Sequence, residues 1–167
     1  MSSFLAKLVL AALYSATWLI AALGRLGRRP RRPIRRVALV GRFDNPGWFL
    51  AHVRPLARCG LDRVVVVTDA AQPAVPGVTV VVPPAWARRA LGRAISKLLW
   101  LIVAAVRYRA DLLMGYNLMP GGCTALVAAS VLGRQSGYQM TGGPVEVLGG
   151  GIGKDGPLTR RLERPSP

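Results

Sequence analysis

Arg42, Asp44 and Asn45 fall within four positions on the loop Gly41-Arg-Phe-Asp-Asn-Pro-Gly47. A carboxylate there can accept a proton or orient a hydroxyl, and a guanidinium beside it can hold a phosphate or carboxylate through two parallel bonds. The same residues suit a polar turn, with Asp44 or Asn45 at a helix start, so the loop carries a catalytic and a structural reading side by side. Tyr116 and Asn117 precede Pro120-Gly121-Gly122, and Thr141, Gly142 and Gly143 precede Pro144. Asn117 and Thr141 can bond hydroxyls, and the glycines would let a substrate approach the backbone, although a tight turn needs glycine as well. His52 falls inside the helix that follows the first loop, away from the loop tips, and reads as structural. The run Gly149 to Gly156 contains a G-x-G-x-x-G spacing but leads into Pro157 and a polar tail instead of a helix, so it is no dinucleotide fingerprint. Cys59, Cys123 and the lone His52 form no metal-ligand spacing. No metal is expected, and both cysteines read as reduced.

These loops have to be positioned by strands and helices. Arg35–Gly41 reads as a first strand, with a helix over Trp48–Arg58 after its loop. Asp62–Asp69 is the clearest strand, a β-branched run of the kind buried on both faces. Ala70–Gly77 is a proline-bearing loop and Val78–Val82 a third strand. A long helix is expected from Ala85 to Arg107, then a strand at Ala110–Asn117, a helix from Pro120-Gly121-Gly122 to Leu132 closed by Gly133, and a strand at Ser136–Thr141. Strands alternating with helices predict an α/β, Rossmann-like, mostly parallel sheet. All the candidate loops then follow strand C-termini, where open sheets of this type bind ligands.

The chain has 167 residues, and its 23 Lys and Arg against 7 acids give a net charge of +16, which favours an anionic partner. Phe4 to Leu23 is apolar apart from Lys7, Ser15 and Thr17, and is followed at once by Arg25, Arg28, Arg29, Arg31, Arg32, Arg35 and Arg36. Its uncharged part is slightly shorter than the ~20 residues that span a bilayer, and Lys7 can snorkel to lengthen it. A membrane anchor, a cleaved signal peptide and an interfacial helix all fit the run. The arginines argue against translocation and place the rest of the chain on the cytoplasmic side of the inner membrane. Within 85–107, Arg89, Arg93 and Lys97 share a face. Ala90, Leu91, Ala94, Ile95, Leu98, Ile102 and Val103 form the apolar side. That helix reads either as an ordinary sheet cover with a solvated basic edge or as a second membrane contact. Placement of the arginines beside the apolar run, without aromatic stacking strands or a recognition helix, argues against nucleic acid. The organisation expected is a membrane anchor helix at 1–24, an Arg-rich linker at 25–36, the Rossmann-like domain at 37–151 and a flexible tail at 152–167. Arg28, Arg29, Arg31, Arg32, Arg89, Arg93 and Lys97 would be the contacts to anionic membrane lipids.

Together, the first-strand loop, the basic helix Trp86–Arg109, the block Ala-Asp-Leu-Leu-Met-Gly-Tyr-Asn (110–117) with Pro-Gly-Gly, and Tyr-Gln-Met-Thr-Gly-Gly-Pro (138–144) with Gly149-Gly-Gly151 resemble the N-terminal half of a GT-B glycosyltransferase of the family 4 type. The resemblance covers roughly Val37 to Gly151. It implies an acceptor-side domain for a glycan or lipid-linked acceptor, lined by Arg42, Asn45, Tyr116, Asn117, Thr141, Gly142 and Gly143. Asp44 would orient or deprotonate the acceptor. It further implies no cofactor, a nucleotide-sugar donor held by a separate C-terminal domain, and a chain far shorter than a family member. Asn117 stands where a His is frequent in that family. The expectation is therefore a fragment, inactive alone. The alternative is a membrane-tethered binding domain that uses the same cleft without catalysis.

Overall fold

The structure, a computed structural model, describes residues 33–139 together with seven scattered positions between 12 and 23. Among the described residues, five parallel strands form one sheet: β1 (Arg36–Val40), β2 (Arg63–Val67), β3 (Val78–Val81), β4 (Leu112–Tyr116) and β5 (Gln135–Gln139), in the order β3-β2-β1-β4-β5. Helix α1 (Pro46–Ala57) links β1 to β2, α2 (Ala85–Arg107) crosses from β3 to β4, and α3 (Cys123–Leu132) links β4 to β5. The α/β parallel architecture is as the alternating pattern predicts. β1 and β2 lie in the middle of the sheet and are buried at all but their first residues, which is why they read as unbroken apolar runs.

The two faces of the sheet are packed differently. On one, α1 brings Phe49 and Val53 onto Leu39, Val64 and Val66, with Phe43 and Tyr116 completing the cluster. On the other, α2 and α3 lay Leu101, Ala104, Ala105, Ala125, Ala128 and Ala129 against Ala38, Val40, Val65, Val67 and Leu113. The alanines of α2 and α3 occupy the centre of this face at little entropic cost, with Leu98, Trp100, Ile102, Tyr108 and Leu132 packed around them.

At the strands' N-terminal end, Asp111 closes the base of the sheet. Its carboxylate accepts the backbone N–H groups of Arg35 and Arg36 and pairs with the Arg36 guanidinium at 3.3 Å. Spending Asp111 in this way is why β4 begins at Leu112, two residues after its expected start. Burial acts to raise the Asp111 pKa. The Arg36 side-chain bond, the two backbone N–H bonds and the Arg36 charge outweigh it and hold the carboxyl below the usual range.

Three expectations change. The helix expected from Pro120 starts at Cys123, because Asn117–Gly122 forms a π-helical turn first. Gly133 does close it, in the left-handed conformation. The helix over 85–107 is broken at Gly92, whose φ of 74° and ψ of 166° are not helical. Its inward residues are Ser96, Lys97, Leu101, Ala104 and Ala105, so the side expected to be apolar and inward instead leaves Leu91, Ile95 and Val103 exposed. Both sides of the helix are apolar, and periodicity alone therefore could not orient it. Among the described residues no helix is long and apolar enough to cross a membrane. Most of the anchor over 1–24 and of the linker over 25–36 lies outside the described residues, as does the tail over 152–167.

Candidate functional site

The rim at the C-terminal ends of β1, β4 and β5 gathers most of the predicted residues that the structure describes. Gly41 leaves β1 with its N–H on the Val67 carbonyl, 3.1 Å away. A Cβ at Gly41 would come within 2.7 Å of Tyr116 Cβ, so only glycine lets the loop lie against β4. Phe43 then turns inward and packs its ring 4.5 Å from Tyr116 and 5.3 Å from Phe49. With Phe43 as the anchor, Arg42 and Asp44 on either side are exposed, and Arg42 Nε donates to Asp44 Oδ1 at 2.6 Å. Asn45 caps α1: its Oδ1 accepts the Gly47 N–H at 2.7 Å and Pro46 opens the helix. The turn reading therefore holds for Asn45, while Asp44 keeps a carboxylate at the surface.

The π-helical turn after β4 forms the adjoining wall. A Cβ on Gly115 would run into the backbone of Gly121 and Gly122, and one on Gly121 into the Tyr116 carbonyl. These glycines let the turn fold straight back onto the strand end. Asn117 starts the turn at a φ of 65°, a conformation that Asn tolerates better than most residues. Tyr116 is only 3% exposed, so it supports the rim from beneath and offers a ligand little surface. Irregular π turns of this kind recur at functional sites.

His52 and Gln139 are the residues that sequence reasoning missed. His52 was expected away from the loop tips. Instead its Nδ1 lies 3.0 Å from Gln139 Nε2 at the end of β5, and its ring stands 5.0 Å from Tyr116. An amide nitrogen can only donate, so in this contact Nδ1 is the accepting ring nitrogen. Trp48, 57% exposed, adds a ring 5.9 Å from His52. The available signal was helical spacing: Trp48 and His52 are four apart and border the buried pair Phe49 and Val53, which places them at the edge of the packed face.

Thr141, Gly142 and Gly143 lie outside the described residues, as do Arg28, Arg29, Arg31 and Arg32. Arg89 and Arg93 are exposed, but Lys97 is not with them: it is 7% exposed and its Nζ pairs with Asp69 Oδ2 at 3.0 Å. Lys97 stands in line with Leu101 and Ala104 on the inward face of α2, and the Asp69 carboxylate at the end of β2 compensates its charge. Lys97 as a lipid contact is thereby corrected. Among the described residues no group of three His, Cys, Asp or Glu side chains could hold a metal ion. Burial pushes the Cys123 thiol up, which keeps it protonated and a poor nucleophile.

The rim thus combines an exposed carboxylate–guanidinium pair, an imidazole and an exposed indole beside a glycine-lined turn. Such a set can hold a hydroxyl-bearing ligand: the carboxylate accepts from a hydroxyl, and the guanidinium and imidazole donate to it. No known protein family matches the chain, and no curated protein does. Among solved structures, the C-terminal domain of a Pyrococcus furiosus hydrogenase resembles it with a TM-score of 0.34 and 15% identity, over 67% of this chain and 96% of that one. A likeness that distant has no bearing on the site or its chemistry.

Proposed function

We propose that this chain is the acceptor-side domain of a membrane-associated glycosyltransferase, which passes a sugar from a nucleotide-sugar donor to a lipid-linked or polysaccharide acceptor. The donor would be bound by a separate domain, and this chain alone would not catalyse transfer. The observation that carries the reading is the position of two polar pairs, Arg42–Asp44 after β1 and His52–Gln139 at the end of β5, at the strand ends where parallel sheets take ligands. In this reading Asp44 orients or deprotonates the acceptor hydroxyl, Arg42 holds an anionic group of the acceptor, and the His52 N–H and the Asn117 amide bond its other hydroxyls. No metal or cofactor is required.

The membrane setting is supported by α2. Ile95, Leu99, Val103 and Val106 are all exposed along it, at spacings of four, four and three, with Arg93 and Arg107 exposed on the same segment and Arg89 exposed before the break at Gly92. Large apolar side chains held out to solvent beside arginines suit the interface of an anionic bilayer. A parallel Rossmann-like sheet is also what the GT-B resemblance, read from the sequence over Val37 to Gly151, calls for. A second reading, a non-catalytic binding domain with the same rim, is favoured by the direct Arg42–Asp44 pair, which spends the carboxylate on a neighbour.

The test is sugar transfer with a GT-B donor domain supplied by fusion, using nucleotide sugars and lipid-linked acceptors, with wild type and Asp44→Asn compared. Transfer that Asp44→Asn cuts by about tenfold or more supports the catalytic reading. Acceptor binding without transfer by any fusion supports the second. Absence of both from a folded protein refutes the pair.

A further inference from the structure

Arg88 and Lys97 both grip Asp69, and on a straight helix they could not. Nine positions separate them, which is ~13 Å along the axis of an unbroken helix and about half a turn round it. Yet Arg88 Nη1 donates to the Asp69 carbonyl at 2.7 Å, while Lys97 Nζ pairs with the Asp69 carboxylate at 3.0 Å. Trp86 and Trp100 make the same point: fourteen positions put them ~21 Å apart on a straight helix, but their rings stand 6.1 Å apart. The helix folds back at Gly92. A Cβ there would meet nothing within 4 Å, so glycine is needed for its backbone angles and not for space.

Residues 85–91 are therefore a short arm distinct from 93–107. The arm exposes Trp86, Arg89 and Leu91 and is held by Arg88, by the Trp86–Trp100 contact and by buried Ala87. Where it closes over the end of β2, Asp69 Oδ1 and Arg88 Nε are buried with no hydrogen-bond partner. Both atoms would regain partners if the arm lifted, so the closed position carries a desolvation cost that opening removes.

We propose that residues 85–91 form a hinged flap over the end of β2, turning about Gly92, with Asp69 as the latch that holds it from both sides of the hinge. Lifting it parts Trp86 from Trp100, releases Arg88 and uncovers the second Asp69 oxygen beside the rim. Lys97 stays on Asp69 and keeps the longer segment docked. The flap does not depend on the identity of any ligand.

Hydrogen exchange on the full chain, wild type and Arg88→Ala, tests this. In wild type the amides of 85–91 exchange at least about tenfold faster than those of 94–107, and Arg88→Ala speeds the first set by about a further tenfold without changing the second. Equal protection of both segments, or a response to Arg88→Ala that spreads to both, overturns the flap. Gly92→Ala gives an independent reading, since an alanine at these angles is strained and favours a continuous helix. It should abolish the near-ultraviolet circular dichroism of the Trp86–Trp100 pair; a retained signal counts against the hinge.

Discussion

Two arginine–aspartate pairs stand at opposite ends of the sheet, and the closer one holds less. At the rim, Arg42 and Asp44 approach to 2.6 Å, but their side chains are 44% and 69% exposed and water screens the attraction. At the base, Arg36 and Asp111 are 3.3 Å apart, but the Asp111 side chain is only 8% exposed and also accepts two backbone N–H groups. Surroundings and additional donors decide the strength of a pair more than its distance does. The base is thereby fixed, while the rim keeps a carboxylate and a guanidinium that a ligand can recruit.

The sharpest way to break this contrast is at the rim itself, where glycine packing and not charge holds the shape. Gly115→Ala should lower stability by about 3 kcal/mol, the upper end of overpacking, because the obstacle is the backbone of Gly121 and Gly122, which has no other rotamer. Chemical denaturation measures it, and a loss under 1 kcal/mol would mean that the turn is not pressed on β4. Next, Asp111→Ala should cost about 1.5–3 kcal/mol at pH 7 through its lost charge-assisted bonds. The Asp111 pKa is depressed in the fold, so its contribution is present above the unfolded value of ~3.9 and is lost as pH falls through the lower folded value. The stability gap between wild type and Asp111→Ala should accordingly narrow below about pH 4. A gap that stays constant down to pH 2 would deny the base pair its charge.

Smaller effects sharpen the comparison. Asn45→Ala should cost about 1 kcal/mol, the usual loss of a helix N-cap, and Asn45→Asp much less. Smallest of all, Asp44→Ala should change stability by no more than about 0.5 kcal/mol, read by the same denaturation curves. If Asp44→Ala matched Asp111→Ala, the two ends would not differ as described.

Much of the fold was legible in the residues. The run Arg63–Val67 could only be a strand buried on both faces, and Gly133 could be seen to end a helix. The rim loops could be placed as well, because parallel strands put all their exits on one side. Three things were not legible. Gly92 looks like a glycine tolerated in a helix; only its angles show a fold-back, and without it the spacing of Arg89, Arg93 and Lys97 suggested a single solvated stripe. Lys97 needed knowledge of Asp69, 28 residues away, before burial made sense. His52 reaches the site through Gln139, 87 residues distant, and no local pattern encodes that meeting. Lys97 and His52 share a cause, a tertiary contact between residues that are individually ordinary, whereas Gly92 hides a backbone conformation that its neighbours in sequence do not announce.

The strand order also dictates a schedule for synthesis. β1 is flanked by β2 on one side and β4 on the other, so its second neighbour is not complete until Tyr116 has left the ribosome, 76 residues after Val40. At ~5–20 residues per second that leaves one edge of the central strand bare for roughly 4–15 s. A nascent chain stalled between Val81 and Leu112 would display an apolar edge ready to pair with another copy, and a chaperone would meet it most often in that interval.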